Sequence, residues 1–452
     1  MAIDKIIDRA ATITVNSTEV SDDTNTSTGA FDLPAGTTAQ RPGSPATGNI
    51  RHNSENAVVE FYDGNAWVPT VPLTTIDTIS GNIFYNLATQ IDINFVDTTL
   101  SNSGNTVTFK AGSTTIATLT NQTISNGVIA NVSVPNGVYT GYSAGNNISI
   151  SVTLANGFTT NAITKTVLTP ATGGNSVVTS SDGTFRYHLF TSSGTFNSQG
   201  VTSIEYLVVA GGGGGGGSNS NSNVGNGGGG GAGGLLNASL TVNANTAYTI
   251  AVGAGGGADP TGLPGSNSTI SGTGITTVTA IGGGGGGYYS GGAADNGGSG
   301  GVGGYSQGTA GSGTAGQGND GGPAVGQLCG GGGGAGAVGV TGNTISNRGG
   351  NGGDGRQFSH WATATSTGDS GYYAGGGGGG GTNYGGTYYG GVGGQGGGAQ
   401  SNYTVNGGTV NNTPTAATAN TGGGGGGRSI NTSSGSGGAG GSGIVIIRYA
   451  LT

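Results

Sequence analysis

The sequence predicts a mostly β chain: a small N-terminal β module, an immunoglobulin-like β-sandwich, then a β-sheet base carrying a bundle of glycine-rich helices, with no significant α-helix. Three observations predict it. Glycine supplies 108 of 452 residues, against a usual share of roughly one in fourteen, and it is dense after Ala210 and sparse before it. Short runs of alternating apolar and polar residues recur ahead of that boundary, with no helical period of comparable length. Two strongly apolar runs, Ile204–Val209 and Ile444–Tyr449, bracket the glycine-rich stretch.

Composition excludes several classes. Charged residues make up 7%, aromatics 6% and the apolar class 32%, too few charges for a solvated disordered chain and too few apolar residues for one large core. Collagen is excluded by the scarcity of proline and the absence of a long G-X-Y register. The net charge is −8, from 19 acidic and 11 basic residues. Every lysine (Lys5, Lys110, Lys165) precedes the glycine-rich region, so no basic patch exists to neutralise a run of phosphates and no nucleic-acid partner is expected. The lone Cys329 reads as a small filler residue. The start MAIDKIIDRA carries acids and lacks an apolar h-region, and no apolar stretch reaches transmembrane length.

Met1–Ala30 pairs a short amphipathic start (Ile3, Ile6, Ile7) with a polar run and buries almost nothing alone, so either it is disordered or it docks on another chain. The next unit, 31–70, is dense in turn chemistry (Pro34, Pro42, Pro45, Gly36, Gly43, Gly48). It has two strand-like runs, Gly48–His52 and Ala57–Tyr62, and the turn Asp63-Gly64. A unit of about forty residues sits where oligomerisation usually completes stability. Phe31, Leu33, Phe61 and Trp67 ask for a partner surface, so a homotrimer is expected.

Over 71–170 the alternation recurs at Ile91–Val96, Thr106–Phe109, Thr115–Leu119 and Ile148–Val152, punctuated by Gly112 and Asn156-Gly157. Regularly spaced short strands over about a hundred residues read as an immunoglobulin-like sandwich. In the last region, 180–452, strands are expected at Phe185–Thr191, Ile204–Val209, Ala247–Val252 and Ile444–Tyr449, with the last three closing one basal sheet.

Between those strands GGX triplets repeat in register: Gly297-Gly298-Ser299, Gly300-Gly301-Val302 and Gly303-Gly304-Tyr305, then Gly349-Gly350-Asn351 with Gly352-Gly353-Asp354, and Gly390-Gly391-Val392 with Gly393-Gly394-Gln395. A period of three is that of the polyproline-II helix, whose backbone N–H and C=O groups all point outward. Glycine on two of three edges lets such helices approach and hydrogen-bond to one another, which satisfies groups that a lone helix leaves to water.

Chance GxGxxG matches abound, but no lysine follows Lys165, so a phosphate-binding P-loop is excluded. His52, His188 and His360 lie scattered without metal or triad spacing. No glutamate follows Glu205, and Asp259, Asp295, Asp320, Asp354 and Asp369 sit in turn-like contexts, so paired glycosidase carboxyls are not evident. No enzyme activity, catalytic residue, cofactor or metal is expected. The aromatics cluster between the glycine runs, at Tyr288, Tyr289, Phe358, His360, Trp361, Tyr372, Tyr373, Tyr384, Tyr388 and Tyr389. Rigid amphipathic rings on loops suit recognition, so these residues are the candidate receptor-binding set. Gln357–Tyr373, glycine-poor and holding both Trp361 and His360, is the foremost loop expected, with Trp361 outside the core.

The stretch IEYLVVAGGGGGGG, the later YTIAVGAGGG and the terminal GSGIVIIRY resemble the glycine-rich domain at the ends of phage tail-fibre proteins, over roughly 180–452. LPAGTTAQRPGSPATGNIRHN with EFYDGNAWVP is similar to a module in structural proteins of marine and cyanobacterial phages. The resemblance implies a polyglycine-II bundle with receptor-reading loops, borne on a virion tail fibre. On the tail-fibre reading the 1–30 segment, too polar and short to fold alone, attaches to other tail proteins while the glycine-rich domain binds a host-surface glycan or outer-membrane protein. The alternative is a head, neck or collar fibre without a receptor.

Overall fold

The computed structural model describes residues 33–55, 58–70, 75–135, 138, 145–218, 225–288, 294–305, 308–381, 389–402, 404–405, 409–410, 413–429 and 435–451. Among the described residues the chain is mostly β, with 36% strand, several sheets that include a curled half-barrel, and one short helix. It divides into two compact units. The first holds the described residues through Ser80, with Ile91–Val138 and Asn147–Lys165; the second holds Gly81–Gln90, the described part of Tyr139–Asn146, and the described residues from Thr166 on.

In the first unit, Ala35–Gly36, Ile50–Asn53, Val58–Tyr62 and Trp67–Thr70 form a four-stranded sheet in that order. The Asp63-Gly64 turn forms because Asp63 Oδ1 accepts from the N–H groups of Asn65 and Ala66, both at 2.8 Å. Gly64 adopts φ +107°, a conformation that favours glycine. At the centre lies a carboxylate. Glu60 is 1% exposed and accepts from Arg41 Nη2 at 2.6 Å, Arg41 Nε at 3.1 Å and Asn53 Nδ2 at 3.2 Å. Arg51 Nη1 adds an ion pair at 3.4 Å that lacks hydrogen-bond geometry. The hydrogen bond from Arg41, above all, holds the Glu60 carboxyl below its ordinary range. Phe31 lies outside the described residues, and Leu33, Phe61 and Trp67 are half-buried.

Alternation in the sequence becomes one-faced burial in the rest of this unit. Ile91, Ile93 and Phe95 are buried along Gln90–Phe95, the centre of a three-stranded sheet with Val128–Ser133 and Ile76–Ser80 at its edges. Asn102–Ala111 pairs on one side with Thr114–Ile124 and on the other with Asn147–Thr153, Ile150 standing opposite Phe109. Val107, Phe109, Ile148, Ile150 and Val152 are all buried there.

The second unit is built on the two apolar runs. Ser203–Val209 and Ile444–Ala450 are antiparallel neighbours, Leu207 opposite Ile446, inside the order Ser176–Thr179, Phe185–Phe190, Ile444–Ala450, Ser203–Val209, Leu235–Thr241. Both faces are covered. Val208, Val445 and Ile447 pack with Phe196, Tyr248, Ile250 and Ile270, while Leu207, Ile444 and Ile446 pack with Tyr187, Leu189, Trp361 and Tyr373. Burial of each such side chain contributes about 1.5–3 kcal/mol, which is why these strands carry apolar residues at consecutive positions. Ala247–Val252, expected in the same sheet, does not join it. Its strand, Ala247–Ala251, belongs to a second sheet with Gly194–Asn197, Ser268–Ser271 and Val278–Ala280. The reason is its burial pattern: Tyr248 and Ile250 are buried and their neighbours less so, the mark of a strand with one apolar face.

The glycine runs carry no strand or α-helix assignment, yet every N–H from Gly211 to Gly217 donates to a neighbouring segment. The N–H groups of Gly211, Gly214 and Gly217 donate to Ser266, Leu263 and Pro260; those of Gly212, Gly215 and Ser218 to Gly441, Gly438 and Gly435; those of Gly213 and Gly216 to Gly231 and Gly228. The carbonyls of Gly211 and Gly214 accept from Gly283 and Gly286, those of Gly213 and Gly216 from Gly425 and Arg428, and that of Gly212 from Gly256. All these bonds span 2.7–3.0 Å. One run thus bonds to six surrounding segments, and five of them recur as partners every third residue. Such packing leaves no space for side chains: a Cβ on any residue from Gly211 to Gly216 would overlap a carbonyl of an adjoining segment. At the periphery every third residue faces water, as with Asn351 and Asp354 or Val392 and Gln395. Asn351 and Asp354 accept from the N–H groups of Val392 and Gln395 at 3.0 and 2.8 Å.

Candidate functional site

The second unit has two ends. Gly211–Gly217 leaves the sheet after Val209 and Ala210, and seven residues at about 3.1 Å each carry it roughly 20 Å outward. Ile281 and Ala374 likewise start runs near the sheet, ending at Tyr288 and Gly381. Side chains with chemical potential gather at both ends.

At the sheet end the centre is Arg448, directly opposite Glu205 in the register. Its Nη2 and Nε donate to Glu205 Oε2 at 2.7 and 3.0 Å, and Nη1 to the Tyr187 hydroxyl at 3.0 Å. The guanidinium carbon lies 4.1 Å from the Phe185 ring centroid and 4.8 Å from that of Trp361, within cation–π range. Trp361 meets Tyr187 edge-on at 5.7 Å. Beside this cluster runs a cleft of about 180 Å³ lined in part by Phe84, Phe185, Ser203, Glu205, Arg448 and Tyr449.

This end corrects two expectations. Gln357–Tyr373 is not simply a loop: it contains a short α-helix, Ser359–Thr365. Nor does Trp361 lie outside the core, for Trp361 and Tyr373 are both 0% exposed, packed on the Leu207, Ile444 and Ile446 face. The physical reason is that an apolar sheet face needs large side chains to cover it, and this glycine-poor segment supplies them. The Tyr373 hydroxyl shares a 2.6 Å hydrogen bond with Thr367 Oγ1. Phe358 is half-buried against the same cluster and Tyr372 is half-buried beside it. His360 is exposed, with its ring 5.7 Å from Trp361. Partial burial, then the Arg448 charge, pull its pKa below the usual histidine value.

The far end is polar. Asn226 Nδ2 donates to Gln327 O at 2.6 Å, and the Cys329 thiol, buried and pushed up to about 12 by that burial, donates to Asn226 O at 3.3 Å. Ser429 N–H donates to Asn402 Oδ1 at 2.7 Å, Ser429 Oγ donates to Asn402 O at 2.9 Å, and Gly381 N–H donates to Ser429 Oγ at 2.9 Å. Around this core stand Tyr288 and Tyr305, half-buried, and Tyr389, 50% exposed. Of the aromatic set, Tyr288 and Tyr389 therefore sit at this end, Phe358, His360, Trp361, Tyr372 and Tyr373 at the sheet end, and Tyr289, Tyr384 and Tyr388 outside the described residues. Among the described residues no three His, Cys, Asp or Glu side chains converge as metal ligands.

Sequence reasoning passed over the arginines. Arg448 and Glu205 were findable as the lone charges in two apolar runs that must pair. Arg348 and Arg428 were findable as charges adjoining glycine runs.

A glycine lattice with a bonding period of three, anchored on a sheet covered on both faces, defines a β-based glycine-rich protein. The chain belongs to the glycine-rich domain family, whose model matches residues 191–450. No curated protein matches the chain.

Proposed function

We propose that the chain is a phage virion fibre protein, a tail-fibre adhesin in which polyglycine-II helices form a rigid shaft and the far end reads a host-surface glycan or outer-membrane protein. The observation that carries the proposal is the run Gly211–Gly217, bonded to six segments with a period of three, as polyglycine-II packing requires. Such a lattice costs much conformational entropy, and a stiff spacer that presents its outer end is a use that offsets it. In this reading the immunoglobulin-like unit is a spacer, the 31–70 module helps hold a homotrimer, and residues 1–30 join other tail proteins. The role is binding rather than catalysis.

A second reading, a head, neck or collar fibre with no receptor, draws support from the burial of Trp361 and Tyr373, which removes two rings from any recognition surface. Immunogold electron microscopy with an antibody against the glycine-rich unit separates the two. Label at tail-fibre tips supports the adhesin; label confined to the head or neck overturns it in favour of the decoration.

A further inference from the structure

The far end holds an arginine that no described carboxylate pairs with. Arg428 is built into the lattice by its backbone: its N–H donates to Gly216 O and its carbonyl accepts from Gly227 N–H, both at 2.9 Å. The guanidinium lies against Gly435, where an added Cβ would collide with Cζ, Nη1 and Nε, so that glycine makes its seat. Arg428 is half-buried, its Nε is shielded from water without a hydrogen-bond partner, and among the described residues no carboxylate pairs with it. Burial lowers its pKa, the direction expected of a charge lacking a counter-ion. The Ser429–Asn402 bonds immediately after it fix the backbone.

A second arginine lies at the same end of the unit. Arg348 is half-buried, has no ion pair among the described residues, and reaches only Gly390 O, at 3.5 Å through Nε. Both arginines border the outer end of the run to Gly381: a Cβ on Gly380 would meet the Arg428 carbonyl, and one on Gly349 would meet Gly379 and Gly380. Asp259, on the Pro260 turn beside Gly217, accepts from Thr261 N–H and Oγ1 at 3.3 and 3.5 Å, within its own turn.

Half-burying a cation without a partner is unfavourable, and folding gains nothing evident from it here. A guanidinium with donors left over is shaped for a carboxylate or phosphate. The chain's net charge of −8 repels polyanions, which limits the ligand to isolated anionic groups. We propose that Arg428, with Arg348 as a second cation at the same end of the unit, binds a single anionic substituent, a uronate carboxylate or a phosphate ester, on an otherwise neutral host-surface glycan. This rests on the adhesin reading and names its ligand class.

The test is an array of neutral, uronate-bearing and phosphate-bearing bacterial oligosaccharides probed with the full chain, alongside adsorption to host cells. Binding is expected to concentrate on acidic spots, and which of the two groups is preferred identifies the substituent. Arg428→Gln is expected to lose at least tenfold with an unchanged melting temperature, Arg428→Lys to keep part of the binding, and Arg348→Gln to lose less than Arg428→Gln. If Arg428→Gln fails to fold, the Lys and Arg348 variants carry the comparison. Absence of signal from the acidic spots, or signal indifferent to all three substitutions, overturns the proposal. Should that occur while the wild-type chain still adsorbs to cells, the adhesin reading survives; loss of adsorption itself would overturn that reading too.

Discussion

Gly213→Ala probes the lattice at its most crowded point. Gly213 N–H donates to Gly231 O at 2.9 Å and its carbonyl accepts from Gly425 N–H at 2.8 Å. A methyl on its Cα would overlap the Gly284 carbonyl, which itself accepts from Gly231 N–H at 2.8 Å. The substitution therefore pushes the Gly282–Gly287 run outward and breaks or lengthens that bond. Overpacking a dense interior costs about 1–3 kcal/mol, an unsatisfied buried backbone group about 1–3 more, and the stiffer unfolded chain offsets roughly 0.4–1. The net loss is about 1–6 kcal/mol, a fall of roughly 2–20 °C in the melting temperature of a unit this size. Gly257→Ala is the internal control: the site is exposed, and its Cβ would meet only Leu263 Cδ1, at 3.5 Å, an ordinary contact. Its change should stay within about 0.5 kcal/mol. Thermal denaturation of the full-length variants by circular dichroism reads both. Equal, small shifts at the two positions would refute the lattice argument.

Trp361→Ala should destabilise the glycine-rich unit by about 3–5 kcal/mol, since it empties a fully buried site; calorimetry showing an unmoved transition would place the ring outside the core. His188 is buried, its Nδ1 donates to Gly173 O at 2.7 Å, its Nε2 has no partner among the described residues, and burial foremost lowers its pKa to about 4. The unfolded histidine takes up a proton near pH 6.5 while the folded one resists until about pH 4. Its contribution is therefore intact above pH 6.5 and lost as pH falls through that window, on the order of 3 kcal/mol in all. His188→Phe should flatten the pH 4–6.5 stability profile, and an undiminished slope in that variant would assign the effect elsewhere. Glu60→Ala removes the carboxylate that Arg41 and the buried Arg51 share and should cost roughly 3–5 kcal/mol in the first unit; urea unfolding that is unchanged would show the ion cluster to be dispensable.

What the sequence disclosed depended on whether a signal was local. Alternation at Ile91–Phe95 and the apolar runs at 204–209 and 444–449 carried their burial with them, because strand periodicity and two-faced burial are properties of a few adjacent residues. Triplet spacing of glycine likewise matched a bonding period of three. The destination of Ala247–Ala251 was not local: one apolar face says that a strand packs on something, but not on which sheet. Trp361 was misplaced for a related reason. A glycine-poor interruption looks like a loop in sequence, whereas the need it meets, covering Leu207 and Ile446, lies far away along the chain. Arg428 escaped notice because an unpaired charge is recognisable only when its surroundings are known.

The most direct test of the central claim, that the far end of a rigid glycine shaft recognises the host, is adsorption of the purified full-length chain to host cells with one substitution at each end. Tyr389→Ala at the far end is expected to reduce adsorption at least tenfold at an unchanged melting temperature, and His360→Ala, exposed at the sheet end, to leave it unaltered. Adsorption lost through His360→Ala and retained in Tyr389→Ala would contradict the account and move recognition to the sheet end.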